Sequence, residues 1–363
     1  DPDVTAQPLA DQTHCQGAVP NDLIVVAANG IGTFSYQWYE NTSNAATGGT
    51  LIAGANGTSF TPDTSAIGII HYYCEITQTG LGCDVTSDVA SVEIVPAPSF
   101  SMQPLANQEL CINGGAEVLS VAFSNGTGTA SYQWYRNTTN SPSGGIAIAG
   151  ETNASFIPPS DVLGEFFYYC EIMFSQGGCS AIVSNIARIE VVPEATIVTD
   201  PLATQDLCIG GTILPLTFVV QDGAGLTSYQ WYSNTVNSNT GGSLISGATM
   251  DTYTPPAFTT AGTYYFYAIA SFTGNGCSSI SSGAAEVIVV EDPIVSSQPI
   301  SNQTQCQGAT SDDLVVVATG GLGTYSYQWY THNSNSNSGG TLITGETNDT
   351  FTPPTNTVGV VYY

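Results

Sequence analysis

The chain has 363 residues, and its 29 Asp and Glu residues stand against two Arg and no Lys, so its formal net charge is -27. Such a surface repels nucleic-acid phosphates and anionic lipid headgroups, which argues against both as partners. Hydrophobic residues make up 42% of the sequence, enough for packed cores, and no apolar run approaches the roughly 20 residues of a membrane-spanning helix.

One motif recurs along the chain with a domain-sized period. Gln-Trp-Tyr occurs four times, with Trp spacings of 96, 97 and 98 residues, and an early cysteine keeps the same register. The motif tryptophans, predicted to be core residues, are Trp38, Trp134, Trp231 and Trp329. The early cysteines are Cys15, Cys111, Cys208 and Cys306. This period predicts four domains, at residues 1–96, 97–193, 194–293 and an incomplete 294–363.

In chain order, the first repeat is a series of short apolar runs separated by turns. Residues 22–28 predict one strand, and residues 34–39 predict the next, with alternate side chains on one face. After a polar loop, residues 51–52 and 58–61 predict short strands, 69–77 a long strand and 85–95 the last one. About seven strands per repeat, with no helical period, predict tandem all-β sandwiches.

The long strand carries a tyrosine-cysteine motif, at Tyr72-Tyr73-Cys74 and Tyr168-Tyr169-Cys170. Together with the tryptophan, this motif makes the repeats resemble the immunoglobulin superfamily. The resemblance implies immunoglobulin-like domains with a tyrosine corner at Tyr72 and Tyr168.

The chain also departs from that superfamily. Val25 and Val26 stand where its first cysteine usually lies, so its usual inter-sheet disulfide is absent. In the third repeat, Phe266 and Ala268 replace the corner tyrosine and the cysteine. The corner is therefore optional in these repeats.

Two short cysteine motifs recur in the repeats. Cys-x-Gly lies near the start, as in Cys15-Gln16-Gly17, and only the second repeat departs from it, with Cys111-Ile112-Asn113. Gly-Cys lies near the last strand of the first three repeats, at Gly82-Cys83, Gly178-Cys179 and Gly276-Cys277. With this pair of motifs the chain resembles the immunoglobulin-like repeats of giant surface adhesins of the Bacteroidota, including the gliding-motility adhesin exported by the type IX route. The resemblance implies an extracellular protein of the cell surface.

The nine cysteines fall into three positional classes. The third repeat keeps only Cys208 and Cys277, which predicts a disulfide between them. Repeat symmetry then predicts that Cys15 pairs with Cys83 and Cys111 with Cys179, while Cys306 pairs with a residue beyond Tyr363. Each such bond would stabilise its domain by about 4 kcal/mol in the chain-entropy model, and it requires an oxidising compartment.

Cys74 and Cys170 remain after this pairing. Ala268 replaces them in the third repeat, which indicates a small buried site beside the tryptophan and predicts buried free thiols. An intermolecular disulfide, or a bond between Cys74 and Cys83, is the alternative.

Candidate catalytic and metal-binding residues are sparse. His14, His71 and His332 are scattered and have no second ligand at metal spacing, and no nucleophilic dyad is formed. Gly-x-Gly turns such as Gly30-Ile31-Gly32 precede strands instead of the helix that a phosphate loop needs. We predict no enzyme and no cofactor, with calcium at acidic pairs such as Asp312-Asp313 as an alternative.

The repeats and cysteines together predict a stalk. Short proline-containing linkers should extend the array, so that it holds an adhesive tip away from the cell or forms a surface filament, with neighbouring repeats as its partners. One alternative is polysaccharide binding by the polar loops 137–145 and 234–242 and by exposed tyrosines, namely Tyr39, Tyr135, Tyr232 and Tyr330. Another is a filament subunit whose incomplete fourth repeat is completed by strand donation.

Overall fold

The computed structural model describes residues 1–79 and 83–363 of the chain. The regular elements of these residues are all β-strands. They divide into two compact units, one of residues 1–194 with 274–277 and one of residues 195–273 with 278–363.

The first two repeats contribute ten strands each. Those of the first are β1 (Asp3–Ala6), β2 (Asp11–Cys15), β3 (Leu23–Ile24), β4 (Val26–Ala28), β5 (Phe34–Asn41), β6 (Thr50–Leu51), β7 (Ser59–Phe60), β8 (Gly68–Gln78), β9 (Asp84–Thr86) and β10 (Ala90–Val95). Those of the second are β11 (Ser99–Met102), β12 (Asn107–Cys111), β13 (Leu119–Ser120), β14 (Ala122–Ser124), β15 (Ala130–Asn137), β16 (Ile146–Ala147), β17 (Ser155–Phe156), β18 (Gly164–Phe174), β19 (Ile182–Val183) and β20 (Ala187–Val192).

The third and fourth repeats follow the same pattern. The strands of the third are β21 (Thr196–Thr199), β22 (Thr204–Cys208), β23 (Leu216–Thr217), β24 (Val219–Gln221), β25 (Thr227–Asn234), β26 (Ser243–Leu244), β27 (Thr252–Tyr253), β28 (Gly262–Phe272), β29 (Ile280–Ser281) and β30 (Ala285–Val290). Those of the fourth are β31 (Ile294–Ser297), β32 (Leu314–Val315), β33 (Val317–Thr319), β34 (Tyr330–Thr331), β35 (Thr341–Leu342) and β36 (Thr350–Phe351).

Each of the first three repeats is a two-layer sandwich. In the first, β2, β10, β8, β5 and β6 form a sheet in that order, with β9 paired to β8, and the ladders β1–β4 and β3–β7 supply the other layer. The second and third repeats have the same topology. This confirms the prediction of tandem all-β, immunoglobulin-like sandwiches.

A tryptophan lies at the centre of every core. Trp38 is fully buried and packs with residues of both layers, including Leu23 and Ile76. Its indole N–H donates to the carbonyl of Gly57 at 3.0 Å, so the buried donor is satisfied. Trp134, Trp231 and Trp329 make the corresponding bond to Asn153, Met250 and Asn348.

Strand direction places the cysteines of a repeat. β2 runs parallel to β10, with Cys15 opposite Val95, and β8 runs antiparallel to β10, with Gly68 opposite Ile94. Cys15 therefore lies where the 11-residue β8 begins, whereas Cys83 lies beyond its end. At about 3.3 Å per residue the two positions are about 30 Å apart, which no disulfide can span.

The predicted strands 22–28 and 85–95 are each two strands. The first is interrupted at the buried Val25, whose N–H donates to the carbonyl of Thr58, and its two halves pair with different strands. The second is interrupted at Ser87, which is buried and hydrogen-bonded through its hydroxyl to the backbone of Cys74. β1 and β2 lie outside the predicted strands.

Candidate functional site

The predicted pairing within repeats is wrong. The structure joins Cys15 to Cys179 and Cys111 to Cys277, with Cα–Cα distances of 5.1 and 5.0 Å, which suit a disulfide. The physical reason is the direction of the strands, because the two cysteines of one repeat lie at opposite ends of its sandwich. An early cysteine meets instead the hairpin cysteine of the repeat that follows. Cys83 and Cys208 take part in neither bond, and Gly82 lies outside the described residues.

The first joint consists of Cys15 at the end of β2 and the β18–β19 turn of the second repeat. The Cys15 N–H donates to the carbonyl of Gly177 at 2.9 Å. Gly177 and Gly178 have φ of 69° and 61°, values that favour glycine. A Cβ on Gly178 would lie 3.0 Å from the Cβ of Ala18. A glycine turn thus lets the two backbones approach until the cysteines bond.

The second joint repeats this arrangement within the first unit. The Cys111 N–H donates to the carbonyl of Asn275 at 3.1 Å, and Leu110 and Asn275 form a parallel β-bridge. Gly276 has a φ of 72°, and a Cβ there would lie 2.1 Å from the Cα of Gly114. No side chain larger than a hydrogen fits between these two segments.

The receiving side of the joint, here called the socket, is the early cysteine with the three residues after it. In every repeat the second residue after the cysteine has a positive φ and donates its N–H to a carbonyl further along the same repeat. These donors are Gly17, Asn113, Gly210 and Gly308, and their acceptors are Thr64, Ser160, Phe258 and Thr355. The socket conformation is therefore the same with and without a disulfide. Cys15 and Cys111 are buried, Cys208 is half-buried and Cys306 is exposed.

His14 distinguishes the first joint from the second. Its Nε2 lies 2.8 Å from Oε1 of Gln12, while its buried Nδ1 has no hydrogen-bond partner. Burial lowers the pKa of this imidazole. Leu110 and Leu207 take the same place beside Cys111 and Cys208.

Cys74 and Cys170 form a separate class inside the cores. Both are fully buried free thiols. Cys74 lies opposite Trp38 in the sheet, as Ala268 lies opposite Trp231. Burial raises the pKa of Cys74 to about 11 and that of Cys170 to about 12, which suppresses the reactive thiolate at neutral pH.

The resemblance implies a tyrosine corner at Tyr168, and the structure does not form it. The hydroxyl of Tyr168 is buried with no hydrogen-bond partner. The next tyrosine, Tyr169, accepts the N–H of Gly145 at 3.1 Å, as Tyr73 accepts that of Gly49. Because the earlier hydroxyl makes no bond, Phe266 replaces it without loss.

The tyrosines predicted to be exposed are mostly covered. Tyr39 is half-buried and stacks on Tyr73 with ring centroids 5.1 Å apart. Tyr135 and Tyr232 stack in the same way on the equivalent tyrosines, whereas Tyr330 is exposed. The adjoining polar loops are ordered by an Asn whose amide donates to two loop carbonyls, as in Asn137 and Asn234. Stacking on one face leaves little free ring surface for a ligand.

The remaining candidate residues have structural partners. His71 Nδ1 lies 2.9 Å from the Ser91 hydroxyl, and His332 Nδ1 accepts the N–H of Ser334. Asp313 accepts the hydroxyl of Thr352. Within residues 1–79 and 83–363, no three His, Cys, Asp or Glu side chains are grouped so that they could hold a metal ion. In the same residues, no helix has the length and apolarity to cross a membrane.

Comparison with known proteins gives one family match. A family model described as Domain of unknown function (DUF8696) matches residues 4–96, 103–193 and 200–291. No curated protein sequence matches the chain.

Several solved immunoglobulin arrays are similar in structure. An E-to-A variant of three titin domains has a TM-score of 0.40 at 11% identity, covering 80% of this chain and 98% of that one. Extracellular domains 3-5 of Drosophila OTK have a TM-score of 0.35 at 16% identity, covering 80% and 97%. The insect immune protein hemolin has a TM-score of 0.33 at 13% identity, covering 91% and 87%.

Proposed function

The chain belongs to the family described as Domain of unknown function (DUF8696), which it matches in three successive repeats, and we propose that it is a structural spacer of an extracellular surface protein. The observation that carries the proposal is the covalent joint, which recurs at two successive boundaries with the same backbone contact. A ligand-binding site would lie on a single repeat, whereas these joints lie between repeats. Their role is therefore to connect the repeats of the array.

The joints support a location outside the reducing cytosol. Disulfides persist in oxidising compartments, which include the cell surface and the secreted fraction. A net charge of -27 keeps such an array from binding anionic polymers and lipids. In this proposal the spacer holds an adhesive element of a Bacteroidota surface adhesin away from the cell, for attachment or gliding.

We propose that the series of joints continues beyond the two in this chain. Cys208 and Cys306 lie in sockets with the same hydrogen bond as the two occupied ones. By the same rule, Cys208 would receive the hairpin cysteine of the fourth repeat, and Cys306 that of a fifth. Peptide mapping of the unreduced protein, purified from its source, should then find Cys208 joined to a cysteine that follows a glycine. Recovery of Cys208 as a free thiol from oxidised full-length protein would contradict this.

A replacement experiment tests the spacer role. Cells would carry the parent protein with residues 1–363 exchanged for an unrelated immunoglobulin array of similar length, with a deletion of two repeats as the comparison. Adhesion should survive the exchange and weaken with the deletion, because only length matters. Loss of adhesion after the exchange, together with binding of the isolated chain on a glycan array, would favour a polysaccharide-binding function instead.

A further inference from the structure

The two disulfides close covalent loops that overlap. The first loop runs from Cys15 to Cys179 and the second from Cys111 to Cys277, so residues 111–179 belong to both. Bonds within single repeats would close separate loops in series. Overlapping loops have a different consequence when the chain is pulled from its ends, because a pull follows the shortest covalent path.

That path crosses both bonds. It runs from residue 1 to Cys15, across to Cys179, back along the chain to Cys111, across to Cys277 and on to residue 363. It is about 170 residues long instead of 363, which at about 3.5 Å per residue is about 600 Å instead of about 1,270 Å. Residues 16–110 and 180–276 lie off the path.

We infer that the crossed disulfides make the array a length-limited tether, in which unfolding of the first and third repeats releases almost no length and the second repeat supplies most of the extension. Most of the first repeat and most of the third lie off the shortest path, so their unfolding adds almost no length. The second repeat is held between Cys111 and Cys179, which are its own two joint residues. The length limit follows from covalent connectivity, and only its use in adhesion rests on the proposed function.

The fold of the second repeat suits this pull. Cys111 ends the edge strand β12, and Cys179 follows the end of β18, at the other end of the same sandwich. The pull therefore acts along β12. β12 pairs with β20 in parallel over five residue pairs, and the evenly spaced hydrogen bonds of such a ladder join the two strands from side to side. A pull along β12 therefore loads these bonds together instead of one after another. The tether thus places its tension on a ladder that must fail as a unit.

Single-molecule stretching tests the inference. The oxidised chain, held by handles at residues 1 and 363, should reach about 600 Å when fully extended, and the chain in dithiothreitol should reach about 1,270 Å. In one main step, unfolding of the second repeat should release about 70 residues of the oxidised chain, which have a contour length of about 240 Å. The reduced chain should release about 95 residues, with a contour length of about 330 Å, for each of its three complete repeats.

A matched variant keeps the test independent of overall stability. Cys111→Ser with Cys277→Ser leaves only the first loop, and the extended length should then be about 200 residues, or about 700 Å. An oxidised chain that reaches the reduced length would overturn the inference. So would three short steps of about 30 residues each, or about 100 Å, because these are expected if every repeat closed its own loop. Neither result depends on whether the parent protein mediates adhesion.

Discussion

Cysteine occurs in two different parts of the same domain, at the joints between repeats and in the core beside the tryptophan. Cys15 and Cys111 end an edge strand and bond to another repeat, whereas Cys74 and Cys170 lie mid-strand against a tryptophan as free thiols. Burial does not separate the classes, because all four are buried. What separates them is position along the strand, since only a strand end can meet a neighbouring domain.

Removal of a joint disulfide should have the largest effect. In the chain-entropy model, the 164-residue separation of Cys15 and Cys179 corresponds to a stabilisation of about 5 kcal/mol. The variant Cys15→Ser with Cys179→Ser should therefore melt well below the parent protein in calorimetry. Cys74→Ala with Cys170→Ala removes as many sulfur atoms and serves as the control. Equal melting temperatures for the parent and the joint variant would show that the bond contributes nothing to stability.

A substitution in the glycine turn of the joint should have the second-largest effect on stability. Gly276→Ala adds a methyl group where Gly114 lies 2.1 Å away, at a φ of 72°, so we expect a loss of about 3 kcal/mol from strain and overlap. Reduction of the Cys111–Cys277 bond by dithiothreitol should become at least about tenfold faster.

Gly247→Ala is the matched control for that change. Gly247 lies in the same repeat with a φ of 79°, but a Cβ there meets nothing within 4 Å. The Gly247→Ala variant should lose only about 1 kcal/mol of folding stability, which is the cost of alanine at a positive φ. The rate at which the Cys111–Cys277 bond is reduced should not change. If both variants were reduced at the same rate, the close approach of the two backbones would not matter.

The core class could be predicted from sequence, and the joint class could not. Ala268 in the place of Cys74 identifies a small buried site, because a residue that alternates with alanine must pack. The prediction that Cys208 pairs with Cys277 is wrong because the spacing of residues along the chain does not show at which end of a sandwich each residue lies. That depends on β22 running parallel to β30, and the short polar edge strands β2 and β22 carry no clear alternation of apolar residues.

His14 offers a smaller change that sharpens the contrast between the two joints. Its lowered pKa means that the unfolded chain binds a proton more readily than the folded one. The stability of the first joint should therefore fall as pH drops below about 6.5, the pKa of an unperturbed histidine. His14→Leu, which copies Leu110, should be more stable by about 1 kcal/mol at pH 7, because it removes a buried unpartnered nitrogen.

The pH dependence of melting checks this. Between pH 7 and pH 5 the melting temperature of the parent protein should fall more than that of His14→Leu. Parallel curves for the two proteins would mean that His14 has the same pKa in the folded and unfolded chains.

The smallest effect is expected in the core. Cys74→Ala should cost only about 0.5 kcal/mol at pH 7, since Ala268 already fills this position and little volume is lost. The pH dependence is more informative, because the Cys74 pKa is raised to about 11 from 9.0. As pH rises, this thiol ionises in the unfolded chain before it does in the folded chain. The parent protein should therefore lose stability between pH 9 and 11, and Cys74→Ala should lose less. Iodoacetamide should leave Cys74 unmodified in the folded protein at pH 8. Rapid labelling would show instead that this thiol is accessible and ionised.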